Sequence, residues 1–268
     1  MKLRGKIALI TGAGKGIGAA IARGFAAEGA TVIINDIPEA TYTKHIVQGI
    51  LNNGGNAEVA YADLSRVAEI KRLFGLIREK YGRLDILVNN AGITGWSDFF
   101  ETEEAIFDRV VQLNLKGTLF CTIEAAKMMR ETGGGSIINV SSVVTALSVK
   151  NLICYVATKG GIEAMTRQMA VELAPHKIRV NCFGPGPINT ERNLSEDPDY
   201  RENWGRVIPL QRSGEPEEMV GPALFLASDD ASFVTGQMFY ADGGWGVHAE
   251  LRRYTGAQPA NPDRECLR

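Results

Sequence analysis

Cysteine and histidine are scarce in this chain, and their scarcity excludes several kinds of chemistry. The 268 residues hold four cysteines, Cys121, Cys154, Cys182 and Cys266, far apart and with no CxxC spacing. That is too sparse for a disulfide framework or a zinc site. The three histidines, His45, His176 and His248, are equally scattered, so no metal is expected and a reduced, cytoplasmic setting is. Charge of one sign is missing too: 29 Lys and Arg face 31 Asp and Glu, for a net charge of −2. Nucleic acid needs a basic patch or stripe, and none is present. No apolar run approaches the roughly 18 residues of a membrane span. The N-terminus has no signal-peptide core, and the short run Ile7–Ala8–Leu9–Ile10 ends at Thr11–Gly12.

Internal repeats, low-complexity stretches and Gly/Ser linkers are also absent. Length alone, at about 150 residues per domain, would allow roughly two. Nothing in the sequence divides it, so residues 1–268 are expected to form a single domain. What the chain has in excess is glycine: 30 of 268 residues, about 11% against a usual share of about 7%.

Short apolar runs recur at 7–10, 31–35, 57–61, 86–88, 136–140, 178–183 and 237–241. Buried strands of parallel sheets read this way. Helical spacing appears between them: Ile17, Ala20, Ile21 and Phe25, then 67–81, 108–129, 160–173 and 217–226, the last opening after Pro216. This alternation predicts an α/β fold, a doubly wound parallel sheet of seven strands with helices on both faces. Two segments fall outside it. Residues 190–207 are polar and read as a substrate lid. Residues 247–268 form a tail carrying Arg252, Arg253, Arg264 and Arg268, either frayed or docked on a partner subunit.

Ligands of open α/β sheets bind outside the carboxyl ends of the strands, so the residues after each run matter most. The first run is followed by Gly12, Gly14, Lys15, Gly16, Ile17 and Gly18. Glycines between a strand and a helix allow a tight turn and close approach to a pyrophosphate, with helix N–H donors behind it. No Gly-Lys-Ser/Thr is present, so this is not a Walker loop. Asp36 follows the second run, 18 residues beyond Gly18, and is followed by Ile37 rather than arginine. A carboxylate there accepts from ribose hydroxyls and repels a 2′-phosphate, which predicts NAD over NADP, although Lys15 pulls the other way. Asp63–Leu64, Asn89–Asn90–Ala91–Gly92, Ser141–Ser142 and Gly184–Thr190 follow the next four runs. Together these would line one crevice.

With those pieces in this order, the chain resembles the short-chain dehydrogenase/reductase superfamily in its single-domain branch, over residues 1–244. The resemblance rests on TGAGKGIG, NNAG, Asn114 in NLKG, Ser142, the Tyr155–Lys159 pair in YVATK, and NCFGPGPINT. It implies a Rossmann-type fold and a nicotinamide cofactor. Tyr155 and Lys159 lie i,i+4 apart and share a helix face. A free tyrosine titrates near pH 10 and is a poor base near neutrality; a nearby ammonium favours the phenolate. The resemblance makes Tyr155 the general acid/base and gives Lys159 a hold on the nicotinamide ribose. It has Ser142 position the substrate and Asn114 support a water-linked proton relay. It places Asp63 and Leu64 near adenine, Asn90 near the adenosine ribose with Ala91 and Gly92, and Pro185, Gly186, Ile188 and Thr190 near the nicotinamide. It also implies a homotetramer built through 108–129, 155–173 and the last strand.

Substrate-facing candidates are Trp96, Lys150, Asn151, Leu152, Arg192, Trp204, His248 and Arg252. This polar and aromatic set suits a sugar or polyol better than a steroid or acyl chain, so oxidation of a sugar hydroxyl, including the anomeric one to a lactone, is expected. Arg192 suggests a sugar acid, because a guanidinium fork suits carboxylates. Three alternatives remain: a 3-oxoacyl-carrier-protein reductase, a dehydrogenase of alcohols, steroids or cyclic diols, and a non-catalytic nucleotide sensor.

Overall fold

The computed structural model describes residues 1–248. Seven strands form one sheet: β1 (Ile7–Thr11), β2 (Thr31–Asp36), β3 (Asn56–Tyr61), β4 (Ile86–Asn89), β5 (Gly135–Val140), β6 (Ile178–Pro185) and β7 (Met238–Ala241). Their order is β3-β2-β1-β4-β5-β6-β7, and every neighbouring pair is parallel. All seven predicted runs are strands, with ends displaced by one or two residues.

Successive strand residues point to opposite faces, and both faces are apolar. Ala8, Ile10, Val32, Ile34, Val88 and Phe183 meet Ile21 and Phe25 of α1 (Gly16–Ala27), Ile46 and Ile50 of α2 (Thr43–Asn52) and Leu226 of α9 (Val220–Ala227). Leu9, Ile33, Leu87, Ile137 and Val180 meet Leu73 and Phe74 of α3 (Val67–Tyr81), Met129 of α5 (Thr118–Glu131) and Met169 of α6 (Ile153–Leu173). Each fully buried side chain of this size stabilises the fold by about 1.5–3 kcal/mol.

Several helices differ from the sequence reading. The long helix expected over 108–129 runs from Glu104 to Glu131 but is not α-helical throughout. α4 (Glu104–Val110) passes into a π-helical stretch, Val111–Gly117, before α5 begins. The wider turn carries Asn114 inward, where its side chain is wholly buried. Gly117 lets this stretch close on the loop after β3, since a Cβ there would stand 2.8 Å from the Leu64 carbonyl oxygen. α6 starts at Ile153 rather than at 160, which places Tyr155 in its first turn. The segment predicted at 217–226 is a 3-10 turn, Pro216–Met219, followed by α9. α2 was not predicted. The lid segment contains two short helices, α7 (Glu191–Glu196) and α8 (Tyr200–Gly205). Tail residues 249–268, with Arg252 and Cys266, lie outside the described residues. Among the described residues, no helix is long and apolar enough to cross a membrane.

Candidate active site

The strand order reverses between β1 and β4, and the crevice expected at such a switch point opens at their carboxyl ends. The glycine turn lies there. Gly12 and Gly16 have φ of +59° and +54°, where side chains are disfavoured. A Cβ on Gly12 would stand 2.8 Å from the Ala91 Cα, and one on Gly18 2.5 Å from the Asn90 Nδ2. Lys15, the N-cap of α1, makes no side-chain capping bond, and the first turn carries no acidic residue. The helix N–H groups and dipole are thus left to an anion. Across the turn, the Thr190 Cγ2 would lie 3.2 Å from a Cβ on Gly16.

Asp36 ends β2 and accepts from the Gly14 N–H at 3.0 Å and the Ile37 N–H at 2.9 Å. Each carboxylate oxygen keeps a lone pair for a ribose hydroxyl. The Lys15 Nζ lies 5.5 Å from the Tyr42 ring centroid, a cation–π distance. The Asn90 amide donates to the carbonyls of Thr11 and Gly12 at 2.9 and 3.0 Å, so its side chain ties β4 to the glycine turn. The Ala91 N–H donates to the Thr11 Oγ1 at 3.0 Å. Asp63 caps Ser65 at 2.9 Å, and the Leu64 side chain is buried in the core. These residues fit a dinucleotide: a cradle without side chains, an uncapped helix end and an anchored carboxylate.

A cavity of about 160 Å³ continues this crevice. Ile17, Asn90 and Gly92 line one side and Ser142, Tyr155 and Lys159 the other, with Pro185, Gly186, Ile188 and Arg192 closing it. The structure therefore brings Ser142, Tyr155 and Lys159 together. Lys159 is buried, its Nζ donates to the Val140 carbonyl at 2.7 Å, and it lies 5.4 Å from the Tyr155 ring centroid. Asn114 accepts from the Ile93 N–H at 2.9 Å and donates to the Ile93 carbonyl at 2.8 Å and the Thr158 Oγ1 at 3.2 Å. Gly92 keeps a space open between two of these groups. A Cβ there would stand 3.2 Å from the Asn114 Oδ1 and 3.7 Å from the Lys159 Nζ.

Beyond Ser142 lies a second cavity of about 350 Å³. Trp96, Tyr200, Trp204 and Trp245 supply aromatic walls, Val143, Val144, Val149 and Leu152 aliphatic ones, and Thr94, Asn193, Glu196 and Asp197 polar groups. The Trp204 and Trp245 rings meet edge to face at 4.8 Å between centroids. Burial pushes the Tyr200 phenol up to about 12, so it is a neutral donor at ordinary pH, and it accepts from the Asn193 Nδ2 at 3.2 Å. Arg192 is already engaged: its Nε donates to the Glu196 Oε1 at 2.8 Å and its Nη2 to the Thr94 Oγ1 at 2.5 Å. Four predicted substrate contacts do not line this cavity, and one of them, Arg192, borders the first cavity instead. Lys150 and Asn151 face a neighbouring hollow, and His248 is exposed.

The family model described as enoyl-(acyl carrier protein) reductase matches residues 12–246. The 3-oxoacyl-[acyl-carrier-protein] reductase of Thermotoga maritima is 41% identical over 91% of this chain and 99% of its own length. The chain belongs to the short-chain dehydrogenase/reductase family. The L-rhamnose-1-dehydrogenase of Scheffersomyces stipitis, 36% identical, covers 92% of this chain and 98% of itself. A gluconate 5-dehydrogenase from Burkholderia cenocepacia, solved with NADP and tartrate, superposes with a TM-score of 0.87 at 34% identity, over 92% of this chain and 98% of its own. As a short-chain dehydrogenase/reductase, the protein is an oxidoreductase of a family that uses a nicotinamide cofactor.

Sequence reasoning missed several residues of this short-chain dehydrogenase/reductase site, among them Thr94, Asn193, Glu196, Tyr200 and Trp245. The last four come from irregular or short elements that no apolar period marks. It also missed Glu163, which accepts hydrogen bonds from Ser141 and Thr145, the residues flanking the Ser142 turn. Its signal was available: Glu163 is one helical turn beyond Lys159, on the face that carries Tyr155.

Proposed function

We propose that this oxidoreductase uses NAD to oxidise a hydroxyl of a sugar or sugar acid, the anomeric hydroxyl included. The observation that carries the reading is the second cavity, where Trp204, Trp245 and Tyr200 face Ser142 and Tyr155. Flat aromatic surfaces suit the C–H faces of a sugar ring, and Asn193, Glu196 and the Tyr200 hydroxyl suit its hydroxyls. The sugar-dehydrogenase relatives support it.

Tyr155 takes the proton of the substrate hydroxyl, and Ser142 donates to the substrate oxygen to fix its orientation. The Lys159 ammonium, which donates to the Val140 carbonyl at 2.7 Å and lies 5.4 Å from the Tyr155 ring centroid, would hold a ribose hydroxyl. Asn114 and Lys159, on either side of Gly92, would pass the proton on to solvent through a bridging water. A bound nicotinamide would supply the hydride acceptor. Gly12 to Gly18, with Lys15 and Ile17, would hold the pyrophosphate, and Asp36 would bind the adenosine ribose and disfavour NADP. Asp63, Leu64, Asn90, Ala91 and Gly92 border the adenosine half; Pro185, Gly186, Ile188 and Thr190 border the nicotinamide. Arg192 meets an anionic substrate group only by leaving Glu196, so neutral sugars fit the resting arrangement better. Leu152 supplies an apolar wall.

A 3-oxoacyl-carrier-protein reductase is the second reading, favoured by the Thermotoga relative. The two separate in one assay of nicotinamide absorbance with both cofactors, across aldoses, aldonates, polyols, simple alcohols and a 3-oxoacyl thioester. Turnover of sugars with NAD supports the proposal. Turnover confined to the thioester with NADPH overturns it.

A further inference from the structure

α6 grips the end of β5 at more than one point. Lys159 holds the Val140 carbonyl at 2.7 Å. Four residues on, Glu163 presents its Oε1 to two hydroxyls, the Ser141 Oγ at 2.8 Å and the Thr145 Oγ1. These two donors bracket Ser142. Thr145 also lies 2.8 Å from the Ser142 carbonyl oxygen, and Ser141 is buried. A hydroxyl has one proton to give. Thr145 gives it to the carboxylate, the stronger acceptor, and the Tyr240 hydroxyl, 3.0 Å away, then donates to the Thr145 Oγ1. One carboxylate thereby joins β5, the turn after it, β7 and the helix that carries Tyr155.

We infer that Glu163 is a positioning residue: it sets the Ser142 hydroxyl in register with the Tyr155 hydroxyl by tying the Ser141–Thr145 turn to α6. This rests on the reading above, in which Ser142 and Tyr155 carry the reaction. The geometry gives the role its reason. Ser142 sits on a loop and Tyr155 on a helix, and a loop hydroxyl must be held within a fraction of an ångström to aid the same substrate oxygen. Within the Ser142 turn itself, the Ser142 Oγ accepts only a long bond, 3.4 Å from the Val144 N–H. Local structure alone holds it weakly.

The test is a cycle of variants at Glu163 and Ser142, read as kcat, cofactor KM and Tm. Glu163→Leu removes the acceptor, and misplacement of this kind is expected to lower kcat about 30-fold while cofactor KM changes less than about twofold. Glu163→Gln keeps an acceptor oxygen and should lose less than about threefold. In the Ser142→Ala background, Glu163→Leu should cost less than about twofold more, because the group it positions is gone. Thr145→Val, which removes one donor and leaves the carboxylate, covers the case in which Glu163→Leu does not fold; it is expected to cost about fivefold and to be absorbed in the same way. Equal losses from Glu163→Leu or Thr145→Val in both backgrounds would overturn the positioning role alone. Full turnover by Ser142→Ala would overturn the reading of Ser142, and the positioning role with it.

Discussion

The two halves of the site are built differently. The half proposed to hold the cofactor and carry the chemistry hangs on the central strands through buried and part-buried bonds: Lys159 to Val140, Asn90 to Thr11 and Gly12, and Asn114 to Ile93 and Thr158. The substrate half is formed by α7, α8 and the turn at Trp245–Val247, held by aromatic edges and by exposed pairs such as Arg192 with Glu196. Buried, satisfied networks fix one arrangement. Exposed ion pairs contribute about 0–1 kcal/mol and hold little in place. The contrast explains how one chemistry can be kept while the substrate wall changes.

Four substitutions would break or sharpen that contrast. The largest effect is expected from Tyr155→Phe, which removes the proton-transfer group and should lower kcat/KM by about 10² to 10⁴ with Tm unchanged. Asp36→Ala comes next. Loss of the carboxylate should shift the NAD-to-NADP ratio of kcat/KM at least about tenfold towards NADP, through cofactor KM and without a change in substrate preference. In the other half, Trp204→Ala removes a ring packed against Trp245 and should raise sugar KM about tenfold while leaving cofactor KM alone. The smallest is Arg192→Ala. If the substrate is neutral, its kinetics should move less than about threefold, since only a surface pair with Glu196 and one hydrogen bond to Thr94 are lost. A larger KM effect confined to aldonates would identify a sugar acid as substrate and bring the lid into the charge chemistry.

The sequence reading anticipated placement best where a residue's position depends on its chain neighbours. Asp36, Asn114, Ser142, Tyr155 and Lys159 all follow strands or sit at helical spacing, and the parallel sheet brings those ends to one side. Within the long helix expected at 108–129, the π-helical stretch was not legible because apolar period does not register one extra residue in a turn, and the extra residue is what buries Asn114. α2 escaped because only Thr43, Ile46 and Ile50 of its ten residues are buried, too narrow an apolar stripe to stand out. The substrate wall was legible only in part. Trp96, Leu152 and Trp204 reach the cavity, whereas Lys150, Asn151 and His248 do not. Short helices capped by local bonds, such as α7 with the Thr190 hydroxyl accepting from the Asn193 N–H at 3.3 Å, leave no period from which facing could be read.

The central claim is that the Tyr155 hydroxyl, placed beside Lys159 and Ser142, carries the proton in hydride transfer to NAD. Its most direct test is to measure NAD binding and NADH formation side by side in the wild-type protein and in Tyr155→Phe, with the best aldose from the substrate series. The account predicts NAD affinity within about twofold of wild type and turnover reduced by about 10² or more. Turnover near the wild-type rate in a variant that still binds NAD would contradict it.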